Sequence, residues 1–222
     1  MAFISVFDVI GPSMVGPSSS HTAGAVSIAL LAKKMFPGNI KKVEFILYGS
    51  FAKTYKGHGT DRALLGGILG YATDDLRIKD SFDFAKKAGI EYSFVPNEKE
   101  TDVHPNTVEI HLTNEEDFRL HIRGESLGGG KVRIVRINRV KVEFTGEHST
   151  LIITQKDKPG VVAHITNCLS NHNVNIAYMK IFREKKGATA YSIVESDEKI
   201  PEDILDQIKN NENVQETMLV QI

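Results

Sequence analysis

The stretch that most restricts the fold lies after Gly146-Glu147-His148, where short apolar strands and helices alternate in the order βαββαβ. Residues 151–154 read as the first strand, and the turn Asp157-Lys158-Pro159-Gly160 opens a helix that runs to about residue 172. Residues 174–182 and 188–194 pair as a hairpin around Lys185-Lys186-Gly187. Residues 201–209 give a second helix with Pro201 at its start, and residues 214–220 close the sheet. The tripeptide at 146–148 therefore divides the chain into domains 1–147 and 148–222.

The first domain begins as alternating helix and strand. A polar cluster at residues 18–22 precedes residues 23–36, where Ile28, Leu31, Ala32 and Met35 share one helical face, and Pro37-Gly38 ends that helix. Residues 43–48 read as a buried strand. The glycine-bearing segment 57–60 leads into a second helix, 61–72, whose Gly66, Gly67 and Gly70 predict close packing at a cost in intrinsic helix stability. A short helix at 82–88 ends at Gly89. Strands follow at 91–95, 107–113 and 118–124, and residues 131–144 continue them with a turn near Asn138. The whole is an α+β chain whose first sheet is mixed or antiparallel.

Composition narrows the function. With 41% hydrophobic residues and a formal charge of -1, the chain can bury a core and lacks the basic excess of a nucleic-acid binder. No apolar run approaches the roughly 20 residues of a membrane span, and Met1-Ala2-Phe3-Ile4-Ser5 shows no signal peptide. One cysteine, Cys168, cannot form an intrachain disulfide and suits a reducing cytoplasm.

Four segments carry candidate chemistry. Ser18, Ser19, Ser20, His21 and Thr22 stand just before a helix, whose free N–H groups and aligned peptides attract a carboxylate or phosphate; helix capping accounts for one of these hydroxyls and leaves the rest unexplained. Lys53, Lys56, His58, Thr60 and Asp61 follow a buried strand in what reads as a strand-to-helix loop, a frequent place for ligands. The two glycines beside His58 admit close backbone approach, and the imidazole there is a candidate proton acceptor; an idle surface histidine is the plain alternative. Ser126 with Gly128, Gly129 and Gly130 can make a backbone nest for an anion, or simply a flexible loop. His104 and Asn106, around Pro105, are explained well by a turn.

Taken in order, these segments resemble iron–sulfur L-serine dehydratases. The resemblance rests on Ile10-Gly11-Pro12, on the run from Gly16-Pro17 through Ala23-Gly24, and on Gly49-Ser50-Phe51-Ala52-Lys53-Thr54. It continues with Lys56-Gly57-His58-Gly59-Thr60-Asp61-Arg62-Ala63, His104-Pro105-Asn106-Thr107 and Glu125-Ser126-Leu127-Gly128-Gly129-Gly130, and spans residues 1 to about 145. The glycine–proline pair occurs twice, at 11–12 and 16–17, and the functional serines follow the second. Residues 149–222 resemble an ACT domain through the Asp157–Gly160 turn, Asn175-Ile176-Ala177-Tyr178-Met179 and the strand order. The resemblance implies a serine dehydratase beta-type, allosteric substrate-binding-like domain followed by a ferredoxin-like ACT domain.

It further implies the beta subunit of an L-serine ammonia-lyase, a cytoplasmic heterodimer of serine catabolism and gluconeogenesis that yields pyruvate and ammonia. The 4Fe–4S cluster would sit on cysteines of a separate alpha subunit, without which the chain is inactive, and no metal is expected on this chain. His58 would remove the α-proton, and the Ser18–Thr22 segment with His21 would hold the carboxylate. Lys53, Thr60, Asp61, His104, Asn106, Ser126, Gly128 and Gly129 would line the serine site. ACT domains commonly bind amino acids and pair edge to edge, which would place a regulatory site at Gly160, Val161, Asn175 and Ile176; a ferredoxin-like domain used only for dimerisation is the alternative. The first domain is also similar to the substrate-sensing domain beside the ACT domain of some phosphoglycerate dehydrogenases. That similarity would make the chain a serine sensor without catalysis. A sensor needs the anion sites but no base, so the pair His21 and His58 distinguishes the two.

Overall fold

The computed structural model describes residues 12–221; the expectations placed on residues 1–5 and on Ile10-Gly11 lie outside the described residues. The described chain forms two compact units that divide after Asn138. The boundary expected at 146–148 lies inside the second of them.

In the first unit, strands β1 (Lys42–Tyr48), β2 (Glu91–Asn97), β3 (Thr107–Thr113), β4 (Arg119–Gly128) and β5 (Lys131–Ile137) take the order β2-β1-β3-β4-β5. β2 runs parallel to β1 and the other pairs are antiparallel, so the sheet is mixed. Val43, Phe45 and Leu47 share one face of β1, and beside them Val108, Ile110, Leu112, Leu120 and Ile122 alternate with polar neighbours, all fully or almost fully buried. Four helices accompany the sheet: α1 (Gly24–Met35), α2 (Gly49–His58), α3 (Thr60–Ile68) and α4 (Ser81–Lys87). α1 packs on β4, where Gly124 leaves room for Ile28; a Cβ on that glycine would lie 2.5 Å from Ile28 Cγ2.

Two sequence expectations change here. Lys53 to His58 is the body of helix α2 and not a loop. Gly49, at φ 52°, starts the helix directly after β1, Gly57 is tolerated inside it, and Gly59, left-handed at φ 70°, ends it. Gly57 and Gly59 therefore look like loop punctuation, although only Gly59 terminates anything. Helix α3 ends at Ile68, with Gly70 beyond it at φ 89°.

The second unit opens with β6 (Val140–Phe144) and continues β7 (Ser149–Lys156), α5 (Val161–Asn171), β8 (Tyr178–Arg183), β9 (Thr189–Ser196), α6 (Asp203–Lys209) and β10 (Val214–Val220). The order β10-β7-β9-β8, antiparallel throughout, is that of a ferredoxin-like sheet. Leu151, Ile153 and Val194 of the sheet meet Val161, Ile165, Leu169, Ile204 and Ile208 of the helices in one core. β8 begins at Tyr178, later than expected, because Asn173 turns left-handed at φ 55° and Val174 drops into the core. Among the described residues no helix is long and apolar enough to cross a membrane.

Glycine has opposite consequences at two helical positions. A Cβ at Gly67 would sit 2.5 Å from the Val26 carbonyl oxygen and 2.7 Å from Ala29 Cβ, where α3 crosses α1. A Cβ at Gly57 would meet nothing within 4 Å. Alanine gains about 1 kcal/mol over glycine in a helix interior, but overpacking against a backbone carbonyl costs about 1–3 kcal/mol. Gly57→Ala should therefore raise the chain's denaturation midpoint and Gly67→Ala should lower it, as read by paired chemical unfolding curves.

Candidate active site

The first unit gathers four of the sequence motifs around one imidazole. Ser18 caps a wide helical turn, Ser19–Ala23, its hydroxyl accepting from the His21 N–H at 3.2 Å, while the Thr22 hydroxyl donates to the Ser18 carbonyl. That turn presents His21 with both ring nitrogens engaged: Nδ1 lies 3.3 Å from the Ser18 hydroxyl and Nε2 lies 2.9 Å from the Ser50 hydroxyl. Ser50 is held in turn by its N–H, which donates to the Pro105 carbonyl at 2.7 Å. Gly49 is required beside it, since any Cβ there would lie 2.6 Å from the same carbonyl oxygen. The His104–Thr107 segment thus acts as a turn. Asn106 N–H donates to His104 Nδ1, and the Thr107 hydroxyl donates to the His104 carbonyl.

His58 approaches from the other side. Its ring lies 4.6 Å from that of His21, nearly edge-on at 76°. It closes α2, with α3 starting two residues later, so the expected place at a helix start is corrected to a junction between two helices. Its Nδ1 is buried and without a hydrogen-bond partner among the described residues, as is the Thr60 hydroxyl nearby in sequence. Thr22 and His58 line a cavity of about 250 Å³ whose rim includes Lys56, Arg62 and Lys79, three cations that favour an anionic occupant. Burial, and then the neighbouring His58, lower the pKa of His21. Burial raises that of Asp61, which accepts from the Arg62 N–H at 2.8 Å.

The remaining candidates divide. Lys53 is exposed and lines a separate cavity of about 360 Å³ with Ser50, Glu98 and Glu100. Ser126 is fully buried, and its hydroxyl donates to the Ser20 carbonyl at 2.9 Å. Gly128, Gly129 and Gly130 all have positive φ, at 99°, 60° and 81°, and a Cβ on Gly128 would come within 3.8 Å of the Ser20 hydroxyl. In the second unit Val161 belongs to the core and the half-buried Ile176 packs against it, while Gly160 and Asn175 are exposed. Ser50, Arg62 and Lys79 went unassigned in the sequence reading. Ser50 and Arg62 stood within quoted motifs, but nothing in the order of residues shows that Ser50 meets His21 or that Arg62 lines the same cavity as His58.

Comparison with known proteins decides the family. Residues 5–136 match the model described as serine dehydratase beta chain. The chain belongs to the serine dehydratase beta chain family. Residues 149–213 match the ACT domain. The chain is 43% identical over 204 residues to the L-serine dehydratase, beta chain, of Peptoniphilus asaccharolyticus, covering 92% of each. It is 40% identical over 214 residues to the probable L-serine dehydratase, beta chain, of Bacillus subtilis, covering 96% of each. A weaker similarity, 23% over 193 residues, reaches D-3-phosphoglycerate dehydrogenase of Methanocaldococcus jannaschii, covering 86% of this chain and 36% of that one.

For this serine dehydratase beta chain family member, the lowered His21 pKa carries a sign. The folded state holds the neutral imidazole, so its contribution is complete above the unfolded pKa of about 6.5. It is lost as pH falls through the folded value, because the unfolded chain then binds the proton more readily. Thermal unfolding at about pH 7.5 and about pH 5.5 should show lower stability at the acid end, with a smaller difference in His21→Asn.

Proposed function

We propose that this chain is the beta subunit of a cytoplasmic L-serine ammonia-lyase, converting L-serine to pyruvate and ammonia together with a cluster-bearing alpha subunit. The observation that carries the reading is the His21–His58 pair beside the cation-rimmed cavity, with one buried His58 nitrogen unengaged. Elimination of water from serine requires removal of the α-proton and departure of the β-hydroxyl; the aminoacrylate released becomes pyruvate and ammonia. His58 is assigned the proton, because His21 already spends both nitrogens on Ser18 and Ser50. The Ser18–Thr22 turn is assigned the carboxylate, with His21 ordering the hydroxyls around it. Thr60, Asp61, His104, Asn106, Ser126, Gly128 and Gly129 are assigned to that site or its support, and Lys53 to the neighbouring cavity beside Ser50.

The donor set here does not fit an iron–sulfur cluster, which takes several thiolates. Cys168 is the one cysteine, buried on α5 with its thiol pKa raised by that burial. The proposal therefore gives the 4Fe–4S cluster to cysteines of the alpha subunit, and gives this chain binding, orientation and proton transfer.

In the two-chain enzyme, His58→Ala should lower kcat about 10²–10⁴-fold with a smaller change in KM, whereas Ser19→Ala or Ser20→Ala should chiefly weaken serine binding. Near-normal kcat in His58→Ala, with loss in His21→Ala, would exchange the two roles. The similarity to phosphoglycerate dehydrogenase favours a second reading, a serine sensor. Serine binding that persists while every histidine variant leaves the reconstituted activity intact would establish that reading instead.

The ACT domain is proposed to pair with its own copy through β8, an edge of its sheet where Tyr178 and Ile181 are 44% and 42% exposed. An amino acid bound there would lie by Gly160 and Asn175, on the backbone around Val161 and Ile176. Ile181→Lys should shift the full chain toward a smaller species in sedimentation velocity; a wild-type monomer at all concentrations would remove the pairing.

A further inference from the structure

The helix-free face of the first sheet carries a cluster that the serine site does not use. Strand register sets Glu44 beside His111, His111 beside His121, and Glu109 beside Arg123, itself beside Arg136. One ligand atom each from Glu109, His111 and His121 lies within 4.8 Å of the others. His111 Nε2 is 2.9 Å from Glu109 Oε1, a hydrogen bond that an ion held at about 2.0–2.1 Å from each donor would replace, the two atoms opening to roughly 3.3 Å. Arg123 and Arg136 both bind Glu109 Oε2, which leaves Oε1 to face the histidines. We propose that Glu109, His111 and His121 form a site for a divalent transition-metal ion of the zinc type.

Three further observations support it. His111 Nδ1 lies 3.5 Å from Glu44 Oε2, so a carboxylate stands at the far nitrogen, where it orients a metal-binding imidazole. His121 is fixed in the backbone from both sides: its N–H donates to Asn138 Oδ1 at 3.0 Å, and its carbonyl accepts from the Asn138 N–H at 2.7 Å. A cavity of about 450 Å³ opens on His111, His121 and Glu44, with space for water to complete the coordination.

Two imidazoles and one carboxylate suit zinc, cobalt or ferrous iron better than magnesium or calcium, which take oxygen donors. The two rings are stacked at 3.8 Å and 15°. An ion lies in the plane of each imidazole that binds it, so capture must rotate the rings out of this stack. The site is distinct from the His21–His58 pair and does not depend on the serine dehydratase reading.

The test uses the chelator-treated full-length chain and Co²⁺ as the probe. Saturable one-to-one binding with visible d–d absorption is expected, abolished by competing Zn²⁺. His111→Gln and His121→Gln should each weaken it by about tenfold or more, and His148→Gln, in the other unit, should leave it unchanged. Zn²⁺ should also raise the unfolding temperature of the wild-type chain, a readout that needs no variant. Absence of saturable binding overturns the proposal, as does binding that survives both histidine substitutions.

Discussion

The placement of His21 depends on one buried hydroxyl. Ser126 reaches from β4 to the Ser20 carbonyl and fills the space beneath Gly24, where any Cβ would collide with its side chain. Its own N–H is bound to the Asn106 carbonyl at 2.9 Å. The turn carrying His21, the start of α1, the end of β4 and the His104–Thr107 turn are therefore joined at one residue. A buried hydroxyl without its acceptor costs about 1–3 kcal/mol, so the joint is fixed as well as close. The three glycines that follow Ser126 carry the chain away from this joint with φ values closed to most residues.

Much of this was legible in the sequence because it rests on local chemistry. The βαββαβ order, the polar cluster before a helix at residues 18–22 and the turn near Asn138, which has φ 51°, follow from residue type and period. The motifs were visible as segments, and the structure brings residues of four of them together. What escaped was pairwise. The helical state of residues 53–58 was hidden by Gly57, whose propensity cost is outweighed by packing of Phe51 and Ala52, both buried. Ser50 stood inside a quoted motif with no role of its own, and only the approach of β1's end to the Ser18 turn makes it a partner of His21.

The Glu109–His111–His121 cluster escaped for a different reason. Each of its residues alternates correctly with apolar neighbours and reads as the polar side of an ordinary strand. Only the register of β3 against β4 places His121 opposite His111, and register is not a property of either strand alone. A one-residue slip of β3 would send Glu109 and His111 to the helical face, parting the two imidazoles and taking the Glu109 carboxylate away from Arg123 and Arg136. The polar network thus also opposes misalignment of the sheet.

The parallel pairing of β1 with β2 has a consequence for assembly. Parallel neighbours cannot be joined by a tight turn, and here α2, α3 and α4 all lie in the connection between them. Lys56, His58, Arg62 and Lys79 are thus carried on a loop whose ends meet only when an exposed edge strand finds its partner. The chain entropy of that closure must be met before the imidazole has a fixed address. The geometry around His58 is a late product of the topology, gained and lost with the edge strand on which the histidine's own helix packs.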